Sequence, residues 1–301
     1  MTQQRNTSGE YLCDRINQEE SMEIGLVWNR SPEGAEKLAF KHRVPTVITD
    51  LERDLPQLLP KDERTSSNSN PSIHVVVEVA HPDVTRVIGS SVIKSGCNYF
   101  IGSPSVLADE SVMRDLESAS AQSGAKVYVP CGAFWGANDI RKMADLGTLS
   151  SLVITMRKHP SCLKIEELKE KLGPDPSKIS APIELYNGPV RQLCPLAPNN
   201  VNTMAVGALC AHNLGFDRVI GRLVADPALN DRHVVEIETR SKTGPALEQE
   251  LVVKTTRENP AGLGAVTGNA TFDSFWASLR DACDEIRSNA MKRREQFAIV
   301  C

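Results

Sequence analysis

Apolar positions in this chain come in short runs, and the spacing within the runs changes near residue 130. Before that point "MEIGLVWN", "PTVITD", "IHVVVEVA", "NYFIGS" and "KVYVP" read as brief strands. "IHVVVEVA" is continuous and rich in β-branched residues, the composition of a strand buried on both faces of a parallel sheet. Helical patterns lie between the strands. "GEYLCDRINQEE" sets Tyr11, Leu12, Arg15 and Ile16 at helical spacing, and "SPEGAEKLAFKH" opens with Ser31 as N-cap and Pro32 in the first turn. "DVTRVIGSSVIKSG" is helical, as is "DESVMRDLESASAQSG", which Gly124 stops. "RDLPQLLPKDERTSSNSNPS" ends in a polar, turn-rich loop. Regular alternation of strand and helix predicts a doubly wound parallel sheet, an α/β fold.

Beyond "CGAFWGANDIRKMADLG" the strands lengthen and alternate in polarity: "LSSLVITMRKHP", "ISAPIELYNGPV", "RVIGRLVADP", "HVVEIETRSK" and "ALEQELVVKTTREN". "NVNTMAVGALCAHNLGF" reads as one helix among them. This half predicts an α+β domain of mostly antiparallel strands. "ATFDSFWASLRDACDEIRS" is a closing amphipathic helix with Phe272, Phe275, Trp276, Leu279 and Cys283 on one face, followed by a loose tail, "NAMKRREQFAIVC". The expected division is 1–134, a dinucleotide-binding domain; 135–269, the α+β domain; and 270–301, the closing helix packed back on the first domain, with its tail.

Composition narrows the functions. The chain has 301 residues and a net charge of -4, which disfavours a surface that tracks nucleic-acid phosphates. It lacks an apolar run of membrane-spanning length, and "MTQQRNTSGEYLCDRINQEE" is too polar for a secretory signal. Eight cysteines, at 13, 97, 131, 162, 194, 210, 283 and 301, include no Cys-x-x-Cys pair, as expected of reduced thiols in a cytoplasmic protein; Cys210, in "AVGALCAHN", reads as a packing residue. Cys301 is the last residue, not the fourth from the end that prenylation needs. The histidines besides His233 show no ligand spacing, so no metal is expected.

Four segments carry candidate chemistry. "GLVWNRSP" ends a strand in Asn29-Arg30-Ser31. In a dinucleotide-binding sheet an acid at the end of the second strand meets the ribose 2′-hydroxyl, whereas a neutral residue followed by Arg accommodates a 2′-phosphate. Asn29, Arg30 and Ser31 are of the second kind; they also suit a plain turn with a capping serine and a surface arginine. In "CPLAPNNVNTMA", Asn200 and Asn202 stand at a helix mouth, able to cap it or to face an anion or a cofactor amide. In "VADPALNDRHVVEIE", His233 opens a strand, where it can be a general base or a structural histidine. In "MRKHP", Arg157 and Lys158 end a strand, as a carboxylate-binding pair or an exposed one. "GLGAVTG", Gly262 to Gly268, imitates a phosphate loop, but its glycine spacing is off and no βαβ unit follows; it reads as a loop into the closing helix.

Read in order, "VVVEVAHP", "GSPSVLAD", "PCGAFWGANDI", "APNNVNTMA", "ADPALNDRHVVEIE" and "ENPAGLGAVTG" resemble the L-aspartate dehydrogenase family, in its animal branch. The resemblance implies a Rossmann-like parallel sheet that binds NAD or NADP, joined to an α+β substrate and dimerisation domain. It implies an oxidoreductase that converts L-aspartate to iminoaspartate, then to oxaloacetate and ammonium, and a homodimer with no nucleic-acid or membrane partner. It carries over His233 as catalytic base, Ala133 and Asn202 as cofactor contacts, and Asn200 as a neighbour in the site. Lys158 is assigned to a substrate carboxylate by its charge. "RKHP" departs from the family's pattern, which has a second proline there.

The family begins with a strand running into Gly-x-Gly-x-x-Gly. Here "SGEYLCDRI" aligns with the tail of that motif, which makes Gly9 its last glycine and a further cofactor contact. The first strand and first two glycines have no counterpart, and "MTQQRNT" is too polar to replace them. The expectation is an N-terminally truncated sheet in which two strands lose a central partner, with weaker cofactor binding than in a full-length relative. The alternative reading is a non-catalytic or cofactor-impaired homologue acting as a dimerisation or regulatory module. A third is a reductase of another dicarboxylate.

Overall fold

The structure, a computed structural model, describes residues 8–60, 73–163, 165, 169–173, 179–244 and 248–294. The polar head 1–7, the turn-rich loop at 61–72, the beginning of the last strand segment at 245–247, and the end of the tail with Cys301 lie outside the described residues. The chain divides into two compact units. One comprises residues to 102, 114–130 and from 275 on; the other comprises 103–113 and 131–274.

The first unit alternates helix and strand: α1 (Ser8–Ile16), β1 (Leu26–Val27), α2 (Pro32–His42), β2 (Thr46–Val47), α3 (Leu51–Leu58), β3 (Val75–Glu78), α4 (Pro82–Lys94), β4 (Asn98–Ile101), α5 (Glu110–Ser123), whose first turn belongs to the second unit, and β5 (Val127–Tyr128). Ser31 caps α2 through its hydroxyl, which accepts from the Gly34 N–H. Gly124, at φ +75°, ends α5 in the left-handed region. All strand pairs are parallel, but they form two ladders, β1-β2 and β3-β4-β5. Among the described residues no strand pairing joins the ladders. Val75, Val76 and Val77 of β3 are half-buried.

The second unit begins with a short 3-10 helix, Pro104–Ala108, and continues with α6 (Ala137–Asp145), β6 (Leu149–Lys158), α7 (Lys169–Leu172), β7 (Ile183–Pro189), α8 (Val190–Leu196), α9 (Asn202–Cys210), α10 (Gly215–Arg218), β8 (Ile220–Ala225), β9 (Arg232–Ser241) and β10 (Val252–Pro260). Its sheet runs β10-β9-β6-β8-β7 and is antiparallel except for the β6–β8 pair. α9 packs closely on this sheet. A Cβ built on Gly207 would lie 2.3 Å from Ile154 Cδ1 and 2.9 Å from the Phe134 ring.

Two expectations are corrected. The segment read as one helix, "NVNTMAVGALCAHNLGF", breaks after Cys210: Asn213 turns its amide to the Leu149 carbonyl at 2.9 Å, and Gly215 takes φ +63° before α10. The closing helix, α11 (Asn269–Arg294), runs on through the first part of the expected loose tail, where Ala, Met, Lys and Arg favour helix. From Phe275 onward it belongs to the first unit, where Trp276, Leu279 and Ala282 pack with Leu12 and Phe100 and the Arg15 guanidinium lies 5.4 Å from the centre of the Trp276 rings. Among the described residues no helix is long and apolar enough to cross a membrane.

Candidate functional site

The strand register of the second unit assembles a row of polar side chains. Arg157 pairs with Val234, so the next step of that antiparallel ladder sets Lys158 opposite His233. His233 pairs in turn with Asn259 across β9 and β10. Residues directly opposite on antiparallel strands share a face, with Cβ atoms about 4.5–5.5 Å apart. Lys158, His233 and Asn259 therefore stand side by side at one end of three adjacent strands. Strand alternation sends Arg157 to the other face, where it pairs with Glu236 at 3.1 Å. Lys158, His233 and Asn259 are 2%, 4% and 2% exposed, and Asn200 is also buried. Four buried polar residues in one place carry a desolvation cost that folding alone does not require.

Each has a defined state. The Lys158 ammonium donates to Asn200 Oδ1 at 3.1 Å and to the Val266 carbonyl at 3.0 Å. An ammonium has three N–H donors, so one remains for a ligand. Burial brings the Lys158 pKa down to about 8. Burial, reinforced by the Lys158 charge, brings His233 down to about 4, so its imidazole is neutral at pH 7. The ring also hydrogen-bonds the Ala265 backbone, a contact that favours the protonated ring and so one in which the ring donates. Nε2 has no partner, and neither has Asn259 Oδ1. The site thus offers one cationic donor and two unsatisfied acceptors.

The loop 262–268 supplies the nearby backbone. Besides Val266 and Ala265, Gly262 offers its carbonyl to the Cys162 thiol at 4.0 Å, and Gly268 lies against Asn259, where a Cβ would come within 3.0 Å of the Asn259 Cβ. The sequence reading of "GLGAVTG" as a loop into α11 describes its path but misses its place around Lys158 and His233. The sequence reading also misses Asn259. The available signal was the register: once β6, β9 and β10 are aligned, an asparagine falls opposite the histidine.

The two asparagines at the mouth of α9 do not cap it, since the N-cap is Val201 and makes no side-chain capping bond. Asn200 holds Lys158. Asn202 Oδ1 accepts from the Ser105 N–H at 3.3 Å, which fixes the carboxamide and leaves its NH₂ toward other partners, while Ser105 Oγ donates to the Pro198 carbonyl at 2.8 Å. Ala133 is buried in the turn Cys131–Phe134, closed by a 2.9 Å hydrogen bond and held by Arg257 on the Gly132 carbonyl at 3.1 Å.

The remaining candidates lie in the first unit. Asn29, Arg30 and Ser31 follow β1; Asn29 Oδ1 accepts from the Ser31 N–H at 3.4 Å, and the Ser31 hydroxyl is engaged as the cap. Gly34 makes room for both side chains, since a Cβ there would lie 2.7 Å from Ser31 Oγ and 2.9 Å from Asn29 Nδ2. Arg30 is exposed and makes no ion pair among the described residues, so its charge is free for an anion. Gly9, in the first turn of α1, has ordinary room for a Cβ, 3.7 Å from Val79, so packing does not demand a glycine there. Among the described residues no cluster of three or more His, Cys, Asp or Glu side chains could hold a metal.

Residues 139–278 match the family described as "Aspartate dehydrogenase, C-terminal", and residues 8–130 match "Homoserine dehydrogenase, NAD binding domain". The chain is 45% identical over 275 residues to the aspartate dehydrogenase domain-containing protein of Xenopus tropicalis, spanning 90% of this chain and 89% of that one. It is 31% identical over 173 residues to the L-aspartate dehydrogenase of Methanosarcina mazei, 58% of this chain and 62% of that one. In fold it is similar to the aspartate dehydrogenase of Thermotoga maritima, with a TM-score of 0.55 at 21% identity over 93% of this chain and 100% of that one.

Proposed function

Because the chain belongs to the aspartate dehydrogenase family, a family of oxidoreductases that use NAD or NADP, we propose that it oxidises L-aspartate to iminoaspartate, which water converts to oxaloacetate and ammonium. The observation that carries this reading is the pairing of a neutral, buried His233 with an uncommitted Nε2 and a Lys158 ammonium with one free donor. A carboxylate of the substrate takes that donor. Its negative charge offsets the ammonium that helps hold His233 down, so the imidazole becomes more basic as substrate enters. His233 then takes a proton from the attacking water. Asn200 keeps Lys158 in place. Bound nicotinamide cofactor supplies the hydride acceptor. Within the second unit, Ala133 and the Asn202 carboxamide are its contacts. Arg30 favours NADP or dual use.

The test is turnover of L-aspartate with each cofactor, followed by the ultraviolet absorbance of the reduced nicotinamide and by assay of oxaloacetate and ammonium. Equimolar products support the proposal; reduced cofactor formed only with another dicarboxylate would replace the substrate. The split of the first unit's strands into two ladders favours a second reading, a cofactor-impaired homologue that serves as a dimerisation or regulatory module. Absence of turnover with a stable dimer supports that one. The proposal includes a homodimer, supported by the exposed apolar start of the edge strand β10 at Leu251, Val252 and Val253, and a cytoplasmic site, supported by free thiols at every described cysteine. Light scattering and imaging of a tagged chain test these two points.

A further inference from the structure

Two buried acceptors stand across one pair of strands without a donor: His233 Nε2 and Asn259 Oδ1. A buried acceptor left unpaired carries its full desolvation penalty, which removal of the acceptor relieves. Asn259 has no other evident task. It lies at the C-terminal end of β10, closed over by Gly268, where a Cβ would crowd it.

We propose that Asn259 is a specificity-determining residue that accepts a hydrogen bond from the substrate nitrogen and selects an amine over the corresponding alcohol. This assignment rests on the aspartate dehydrogenase reading above. A primary amine has two N–H bonds and meets both acceptors, whereas a hydroxyl has one O–H and leaves one acceptor buried and unpaired. The match persists through the reaction. The Cα–H bond breaks with its electron pair passing to the oxidised nicotinamide, and the nitrogen lone pair forms the C=N bond of an iminium, which still carries two N–H bonds. Charge that develops on nitrogen is therefore met by Asn259 Oδ1 and His233 Nε2 at once. Water adds to the iminium carbon, His233 relays its protons to the nitrogen, and ammonium leaves as the carbonyl forms.

The experiment runs the reaction in reverse, as reductive amination of oxaloacetate, with wild type, Asn259→Leu and Asn259→Asp, and measures thermal unfolding of all three. Removing the acceptor is expected to raise the KM for ammonium by about tenfold or more, with the KM for oxaloacetate changed by less than about twofold. The Leu variant should also unfold about 2–4 °C higher than wild type, because the unpaired acceptor is gone. Asn259→Asp, which keeps an acceptor, should recover most of the ammonium affinity. An unchanged ammonium KM in Asn259→Leu, or a lower unfolding temperature in that variant, would overturn the assignment while leaving the dehydrogenase reading intact. Wild type that turns over neither L-aspartate nor oxaloacetate with ammonium would instead remove the reading on which it rests.

Discussion

Lys158 and His233 set the pH behaviour of the site. Free Lys158 loses its charge near pH 8. The affinity for succinate, a dicarboxylate without an amine, should therefore fall as pH rises through about 8, and Lys158→Arg should carry the fall to higher pH; calorimetric titration measures both. The same residues leave a mark on stability. The folded-state pKa of Lys158 is below its ordinary 10.5, so between about 8 and 10.5 the unfolded chain binds a proton that the folded chain does not. Stability rises with pH across that window, and the cost is fully present below it. Lys158→Met should abolish the rise, as read by urea unfolding at a series of pH values. His233 behaves likewise at lower pH: its contribution to stability is lost as pH falls from 6.5 through about 4. His233 and Lys158 were legible in the sequence as chemical groups at strand ends. Asn259 and the Val266 carbonyl were not, because their relevance lies in cross-strand register and in a backbone group that carries no residue-type signal.

Most elements followed from pattern, since buried parallel strands and amphipathic helices leave clear periods. The end of α9 did not, because the tertiary bond from Asn213 to β6 decides it. Nor did the wall formed by loop 262–268, whose glycines suggested a phosphate loop in the wrong context. The approach of α9 to the sheet gives a direct test. Gly207→Ala forces a methyl into Ile154 and the Phe134 ring, and should destabilise the second unit by about 1–3 kcal/mol in thermal or urea unfolding. Since Asn202 opens the same helix and Phe134 follows Ala133, that variant should also weaken cofactor binding, read as a higher KM for the nicotinamide.

At the scale of the molecule, the parallel strands of the first unit form two ladders where one continuous sheet would hold the cofactor with a glycine-rich turn. Arg30→Ala should raise the KM for NADP more than that for NAD; equal effects would remove Arg30 from cofactor choice. The second unit is a mixed sheet whose register, more than any single motif, brings Lys158, His233 and Asn259 together. The most direct test of the whole account is turnover of L-aspartate by wild type and by His233→Ala, with both proteins shown to be folded. Loss of rate by a factor of about 100 or more, with cofactor affinity retained, is the expected result; a variant as fast as wild type would contradict the central role given to this imidazole.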